Sequence, residues 1–476
     1  MRVTAVAHPA CAAIFGASLL KTQIYAALLL TGAISPASVL AQTSSDVEAM
    51  RAEISRLRAE LESLEARLGK VEGAGSTQAV PAQAAATPPS PVPAVDKAKP
   101  ETAIEWRGAP QLSTTDGRSF KPRGRLQLDS NVVSRPMGIT APTLGWSSDV
   151  RRAYLGVDGK LGGGIGYRLE VDFATGDVQL TDAWLTYEKG PLTFTLGHHR
   201  VTTLEDLTSD LETSFLERAA FTQAFGFERR LGFSASYEAG DVQVTAGVFS
   251  DDLGTLGTSG VTTNSYSFDG RIVFMPKVGD TQLHFGGSAH YRALNDLTNS
   301  LRYRARPGAR TTDVRFVDTG TFSAKNETGY GVEFAALRGP IHVAAEGFWQ
   351  KVDRPVVSDA SFFGAYGEIG YVFAGGSGRG YRDGVFTSIK PQRGIDKGGT
   401  GAWQINLRAD WLNLNNGLII GGRQQSWGAS LVWVPIERVK FLANYLRSDI
   451  SDTPVRAGSL NDYSVDVFGL RAQYEF

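Results

Sequence analysis

The last fifteen residues constrain this chain more than any other stretch. Phe468, Leu470, Ala472, Tyr474 and Phe476 occupy every second position, with Gly469, Arg471, Gln473 and Glu475 between them. A period of two puts the first set on one face of a strand and the second on the other. Such a strand lies between an apolar and a polar solvent. The apolar face ends on an aromatic at the terminus itself, where a soluble domain ordinarily frays. In hydrocarbon every backbone polar group must be paired within the protein, and a sheet achieves this only by closing its last strand onto its first. The pattern predicts an all-β fold, a transmembrane antiparallel β-barrel.

The rest of the chain agrees. Its 476 residues include 54 glycines, 10% aromatic and 20% charged residues, and its body lacks the apolar run of roughly 18 residues that a membrane helix needs. Alternating runs fall near 119–133, 148–160, 163–175, 179–189, 191–199, 229–239, 241–251, 263–276, 280–293, 328–338, 341–353, 362–373, 401–412, 424–435, 437–449 and 462–476. That is about sixteen strands, an even number as bacterial barrels require. In one of them Tyr167, Leu169, Val171 and Phe173 oppose Arg168, Glu170 and Asp172, as expected of a wet lumen. Two soluble β-sandwiches would need a polar outer face on each strand, which these sequences lack. Tight connectors such as 189–191 and 239–241, and long ones such as 294–327 and 374–400, predict a periplasmic rim of short turns and an external rim of long loops. The net charge of −1 excludes nothing, because opposite charges can be segregated within a pore.

Three segments precede the barrel, which is expected over 104–476. Residues 1–41 read as a signal peptide: Arg2 and Lys21 supply charge, Ile24 to Ile34 the apolar core, and Val39-Leu40-Ala41 a small-residue cleavage site. Cys11, the only cysteine, precedes that core, so neither a lipoprotein anchor nor a disulfide in the mature chain is expected. In 42–72, Val47, Ile54, Leu61 and Leu68 alternate with Met50, Leu57, Leu64 and Val71 at heptad spacing, predicting a short coiled-coil helix and hence an oligomer. A lone amphipathic helix is the plainer reading of the same stripe. Residues 73–103, with Pro88, Pro89, Pro91 and Pro93, form an Ala/Pro-rich linker. Secretion together with the aromatic-ended strand implies a bacterial outer membrane, with the coiled coil in the periplasm.

Two stretches carry charge that a channel can use. Residues 200–228 lose the alternation and are long for a hairpin, so they are expected to fold inward and narrow the pore; an external loop is the alternative. Arg302, Arg304, Arg306 and Arg310 share a face if extended, offering successive permanently charged forks to an oxyanion. The bland reading is a basic outer loop, solvated or bound to lipopolysaccharide phosphates. Arg151 and Arg152 are adjacent, so at most one is expected to reach the lumen. The mature histidines, His198, His199, His284, His290 and His342, have no metal-ligand or triad spacing, and no Gly-x-Ser-x-Gly or His-Glu-x-x-His occurs. A channel without cofactor, metal or nucleic acid is expected, and no enzyme.

Gly124-Arg125-Leu126-Gln127, Arg151-Arg152-Ala153-Tyr154-Leu155, Leu216-Glu217-Arg218, Arg229-Arg230-Leu231-Gly232, Gly401-Ala402-Trp403 and Asn444-Tyr445 follow one another in an order and spacing that resembles the phosphate-selective porin O and P family, from about residue 104 onward. The resemblance implies a sixteen-stranded homotrimeric outer-membrane porin whose third loop enters the pore. It implies passive uptake of inorganic phosphate or other small anions along an arginine ladder, here Arg302, Arg304, Arg306 and Arg310. Arg125, Arg151 or Arg152, and Arg218 would meet the anion deeper in the channel. Glu205 and Asp206 would lie at the constriction. Asp206 stands where phosphate-specific members have lysine, which leaves open a general or weakly selective diffusion porin. A barrel serving mainly as an envelope tether through its coiled coil is the remaining alternative.

Overall fold

The structure, a computed structural model, describes residues 55, 56 and 59, which are helical, and residues 102–476 apart from 107, 175, 202–206, 208, 210, 227–228, 252, 254–264 and 295–298. The expected signal peptide and nearly all of the heptad segment and linker lie outside the described residues.

From residue 118 onward the alternating runs become strands β1 (Arg118–Val133), β2 (Gly145–Gly162), β3 (Ile165–Asp172), β4 (Gln179–Lys189), β5 (Leu192–Arg200), β6 (Arg229–Ala239), β7 (Val242–Phe249), β8 (Tyr266–Phe274), β9 (Thr281–Ala293), β10 (Asn326–Arg338), β11 (Ile341–Asp353), β12 (Ala360–Ala374), β13 (Ala402–Asn416), β14 (Ile419–Ile436), β15 (Val439–Ser451) and β16 (Tyr463–Glu475). Each pairs antiparallel with its neighbours in sequence, and β16 returns to β1 from Val467 opposite Val133 to Glu475 opposite Arg125. The sheet closes, and the sixteen strands are a barrel. Phe476 completes the seam. Its N–H donates to the Gly124 carbonyl at 3.0 Å and its own carbonyl accepts from Gly124 N–H at 3.2 Å. The ring lies where a Cβ on residue 124 would come within 2.2 Å of it, so only glycine admits this ending.

Burial is inverted relative to a soluble protein. On β1, Leu126, Leu128 and Val132 are exposed, whereas Arg125, Gln127, Asp129 and Asn131 are buried. The apolar face looks outward and the polar face inward, the signature of a membrane barrel.

One expectation about the rims fails. Strands alternate in direction, so connectors after odd-numbered strands share one rim and those after even-numbered strands the other. Residues 201–228 and 294–325 follow β5 and β9 and lie on the long-loop rim, while 190–191 and 240–241 follow β4 and β6. Residues 375–401 follow β12, so this long connector belongs to the short-turn rim, not to the external side on which its length had placed it. Parity decides the rim; length does not. The segment turns back into the barrel, where Phe386 is buried and its N–H donates to the Leu207 carbonyl at 2.9 Å. Tyr381 hydroxyl meets His284 Nδ1 at 2.6 Å and Arg271 donates to the Gly384 carbonyl at 3.2 Å.

Candidate functional site

Apolar residues draw the loop between β5 and β6 inward. Leu207, Phe215, Leu216 and Ala219 are buried, followed by the short helix α1 (Ala220–Phe225), which buries Phe221 and Phe225. The far wall has room for them. A Cβ on Gly364 of β12 would lie 2.2 Å from Phe221 Cβ, so glycine admits the helix. Phe221 also stacks on Tyr366 with ring centroids 6.3 Å apart. Polar contacts hold the loop backbone: Asn444 Oδ1 accepts from Leu216 N–H at 3.0 Å, Arg408 donates to the Glu217 carbonyl at 2.9 Å and Ser430 to the Ser214 carbonyl at 2.5 Å. The described residues of this connector, 207, 209 and 211–226, therefore pack against the inner wall of the barrel. Glu205 and Asp206 lie outside the described residues.

Glu217 is the hub of the charges there. Arg151 grips its carboxylate with two hydrogen bonds of 2.6 and 3.1 Å, and Arg471, itself bidentate to Asp129 at 2.7 Å twice, reaches it at 3.4 Å. Burial alone would raise the Glu217 carboxyl; Arg151, by charge and hydrogen bonding, then Arg471 and Arg152, hold it far below the usual carboxylate range. Arg152 donates to Gln127 Oε1 at 2.8 Å on the same inner face. Both arginines thus face the lumen, contrary to the expectation of at most one. A β-bulge is the reason: Gln127 pairs with Arg152 and Leu128 with Val150, leaving Arg151 without a partner in the ladder and shifting the alternation by one.

Arg218 differs from its neighbours. Its Nη1 is buried and meets no acceptor among the described residues, while the adjacent carboxylate is already engaged by other arginines.

The loop between β9 and β10 presents the other predicted arginines. Arg302 and Arg304 are exposed and Arg306 and Arg310 half-buried, while Tyr303 and Ala305 between them are buried. Tyr303 anchors the reverse face against Phe225, Phe322 and Phe362. At the α1 end, Gln223 Oε1 accepts from Arg306 N–H at 3.1 Å, and Arg310 donates to the Arg151 carbonyl at 3.0 Å, joining this loop to the Glu217 hub. Arg302 is engaged by Asp318 at 2.8 and 2.5 Å. Arg315, which the sequence reading passed over, belongs to the same group. Burial, then the neighbouring Arg306 and Arg304, push its guanidinium down to about 10, still charged at neutral pH.

Residues 120–476 match the family described as phosphate-selective porin O and P. The chain belongs to that family. A Caulobacter vibrioides protein is 42% identical over 472 residues, covering 94% of this chain and 95% of its own. The loop L8 deletion mutant of OmpT, an outer membrane protein of Vibrio cholerae, shares the fold with a TM-score of 0.50 at 13% identity, over 76% of this chain and all of its own. Outer-membrane expressed OmpT of Vibrio cholerae does so with a TM-score of 0.50 at 12% identity, over 76% of this chain and 99% of its own. The porin is thus an outer-membrane channel.

Of the porin's predicted residues, Arg151, Arg152, Arg218, Arg306 and Arg310 gather near Glu217 and α1, and Arg302 and Arg304 lie earlier in the loop between β9 and β10. Arg125 lies two positions along β1 from Gln127, its guanidinium 5.0 Å over the Tyr154 ring. The sequence reading gave no role to Glu217, Arg408 or Arg471. Arg471 was nonetheless legible, since the alternation of the last strand places it on the polar face.

Proposed function

We propose that this porin passes small anions, inorganic phosphate or related oxyanions, by passive diffusion from Arg302, Arg304, Arg306 and Arg310 to Arg151, Arg152 and Arg218, with Arg125 beyond. Arg218 carries the reading. Arg218 is half-buried and the neighbouring Glu217 carboxylate is already held by Arg151 and Arg471, so its charge is left to attract a passing oxyanion. Arg302, Arg304, Arg306, Arg310 and Arg315 gather with Asp318 on Arg302, Asp313 3.8 Å from Arg306 and Asp149 3.9 Å from Arg310, an excess of positive charge that supports local accumulation of anions. In this reading the porin is a homotrimer set in outer-membrane lipid and lipopolysaccharide, its coiled coil in the periplasm.

Weak selectivity is a second reading, favoured by Asp318 on Arg302, Glu217 on Arg151, and Asp206 at the position where phosphate-specific members have lysine. Reversal potential across a planar bilayer in a salt gradient separates the two, because its sign reports the ion that passes. Anion preference, reduced in the protein with Arg302, Arg304 and Arg306 all changed to Ala, supports the ladder. Asp206→Lys is expected to make phosphate a stronger blocker of chloride current. A near-zero potential that neither change moves leaves a general diffusion pore.

A further inference from the structure

A hairpin precedes the barrel, and its outward face is unexplained by conduction. Thr102–Trp106 pairs with Pro110–Thr114, whose Leu112 and Ser113 pair with Phe120 and Ser119 at the start of β1. This is the part of the β1 edge left open where β16 ends opposite Arg125. The turn lies at the short-turn rim, with Gly108 against the Arg438 side chain between β14 and β15.

The hairpin has two unlike faces. Ala103, Glu105, Gln111 and Ser113 form one; Ile104, Trp106 and Leu112 form the other. Ile104 is 68% and Trp106 76% exposed, more than most outward residues of the barrel. The apolar face is continuous with the lipid-facing belt. Pair by pair across the ladder, Ile104 leads to Leu112, Phe120, Gly159, Tyr167 and Leu185, the last an exposed outward residue of β4. Strands of a membrane barrel are tilted by about 35–45°, so such a row runs obliquely along the belt toward its edge. Tryptophan beside an aliphatic residue at that level suits the headgroup boundary, where an amphipathic ring meets both media.

We propose that this hairpin is a membrane-interface anchor: Ile104, Trp106 and Leu112 rest in the lipid leaflet at the short-turn rim, and Ala103 and Glu105 face water. The hairpin then extends the lipid contact of the barrel beyond its closed wall and fixes where the preceding chain leaves the membrane surface.

The test uses the mature chain, free of cysteine because Cys11 lies within residues 1–41. Spin labels are placed singly by Ala103→Cys, Ile104→Cys, Glu105→Cys and Trp106→Cys in phosphatidylcholine–phosphatidylglycerol vesicles, and relaxation by oxygen and by a water-soluble nickel chelate is compared. The oxygen-to-nickel ratio is expected to be several-fold higher at 104 and 106 than at 103 and 105. Equal, nickel-dominated relaxation at all four positions overturns the proposal in favour of an aqueous hairpin. Labels at 104 and 106 reached by neither reagent, with dipolar broadening, overturn it in favour of a second copy covering the face. A second measurement disturbs the hairpin less. Quenching of tryptophan emission by lipids brominated near the headgroup should include a component that Trp106→Phe removes, and an unchanged quenched fraction counts against the anchor.

Discussion

Arg218 and Arg151 are close in the fold and differ in what they have left to offer. Arg151 spends two donors on Glu217, whereas Arg218 keeps a buried nitrogen without an acceptor among the described residues. A hydrogen bond to a charged group contributes about 1.5–3 kcal/mol, so Arg218→Gln should weaken block of chloride current by phosphate about ten-fold or more. The same substitution should not lower the heat stability of the barrel, because the buried nitrogen it removes has no acceptor among the described residues. Titration of phosphate against single-channel chloride current checks this, and undiminished block would remove Arg218 from the anion path. The Arg151–Arg152 pair shows why the residue scale defeats a pattern reading. Alternation assigns one residue to each face, and a single extra residue in β2 brings both inward.

At the scale of elements, the inward loop is held by shape and by charge, and the two can be tested apart. Gly364→Val drives a side chain into Phe221, and overpacking costs about 1–3 kcal/mol. The loop should shift from the far wall, raising conductance and open-channel noise. Gly367→Val is the control, since a Cβ there meets nothing within 4 Å. Equal behaviour of the two variants would mean that Phe221 does not seat the loop. The charge contribution is read through pH. Glu217 has a depressed pKa when docked, against about 4.3 for a free glutamate. An undocked loop therefore binds more protons in acid, and docking is at full strength above about pH 4.3 and is lost only as pH falls through the docked value. Open-channel noise should stay level from pH 8 to pH 5 and rise below about pH 4; a rise already at pH 6 would show that Glu217 is not the group that holds the loop.

At the scale of the whole barrel, residues 118–475 form a closed sheet, so its strands pair without help from what precedes them. Deleting residues 44–72 should leave a folded barrel with the heat-modifiable migration of the parent. Assembly is a separate matter. Mass measurement of the full mature protein in mild detergent is expected to give a trimer, and monomers at working concentration would refute the assembly that the heptads and the family resemblance predict. Retention of the trimer after deletion would locate the protomer contacts in the barrel wall and leave the coiled coil a supporting role.

Period-two alternation carried the architecture in the sequence. It located all sixteen strands, gave the lipid-facing and lumen-facing sets on regular strands such as β1 and β16, and explained a terminal phenylalanine, because every one of these follows from local geometry and from pairing every backbone group in hydrocarbon. The loss of alternation across 200–228 set that connector apart from the strands on either side of it, β5 and β6. What the tertiary structure alone decided are the relations between residues far apart in the chain. Glu217 becomes a hub because β2 and β16 bring Arg151 and Arg471 to it, Gly364 matters because Phe221 arrives opposite it, and residues 375–401 enter the lumen from the rim that strand parity assigns them. Local periodicity reports which solvent a residue faces; it carries no information on which distant side chain will meet it there.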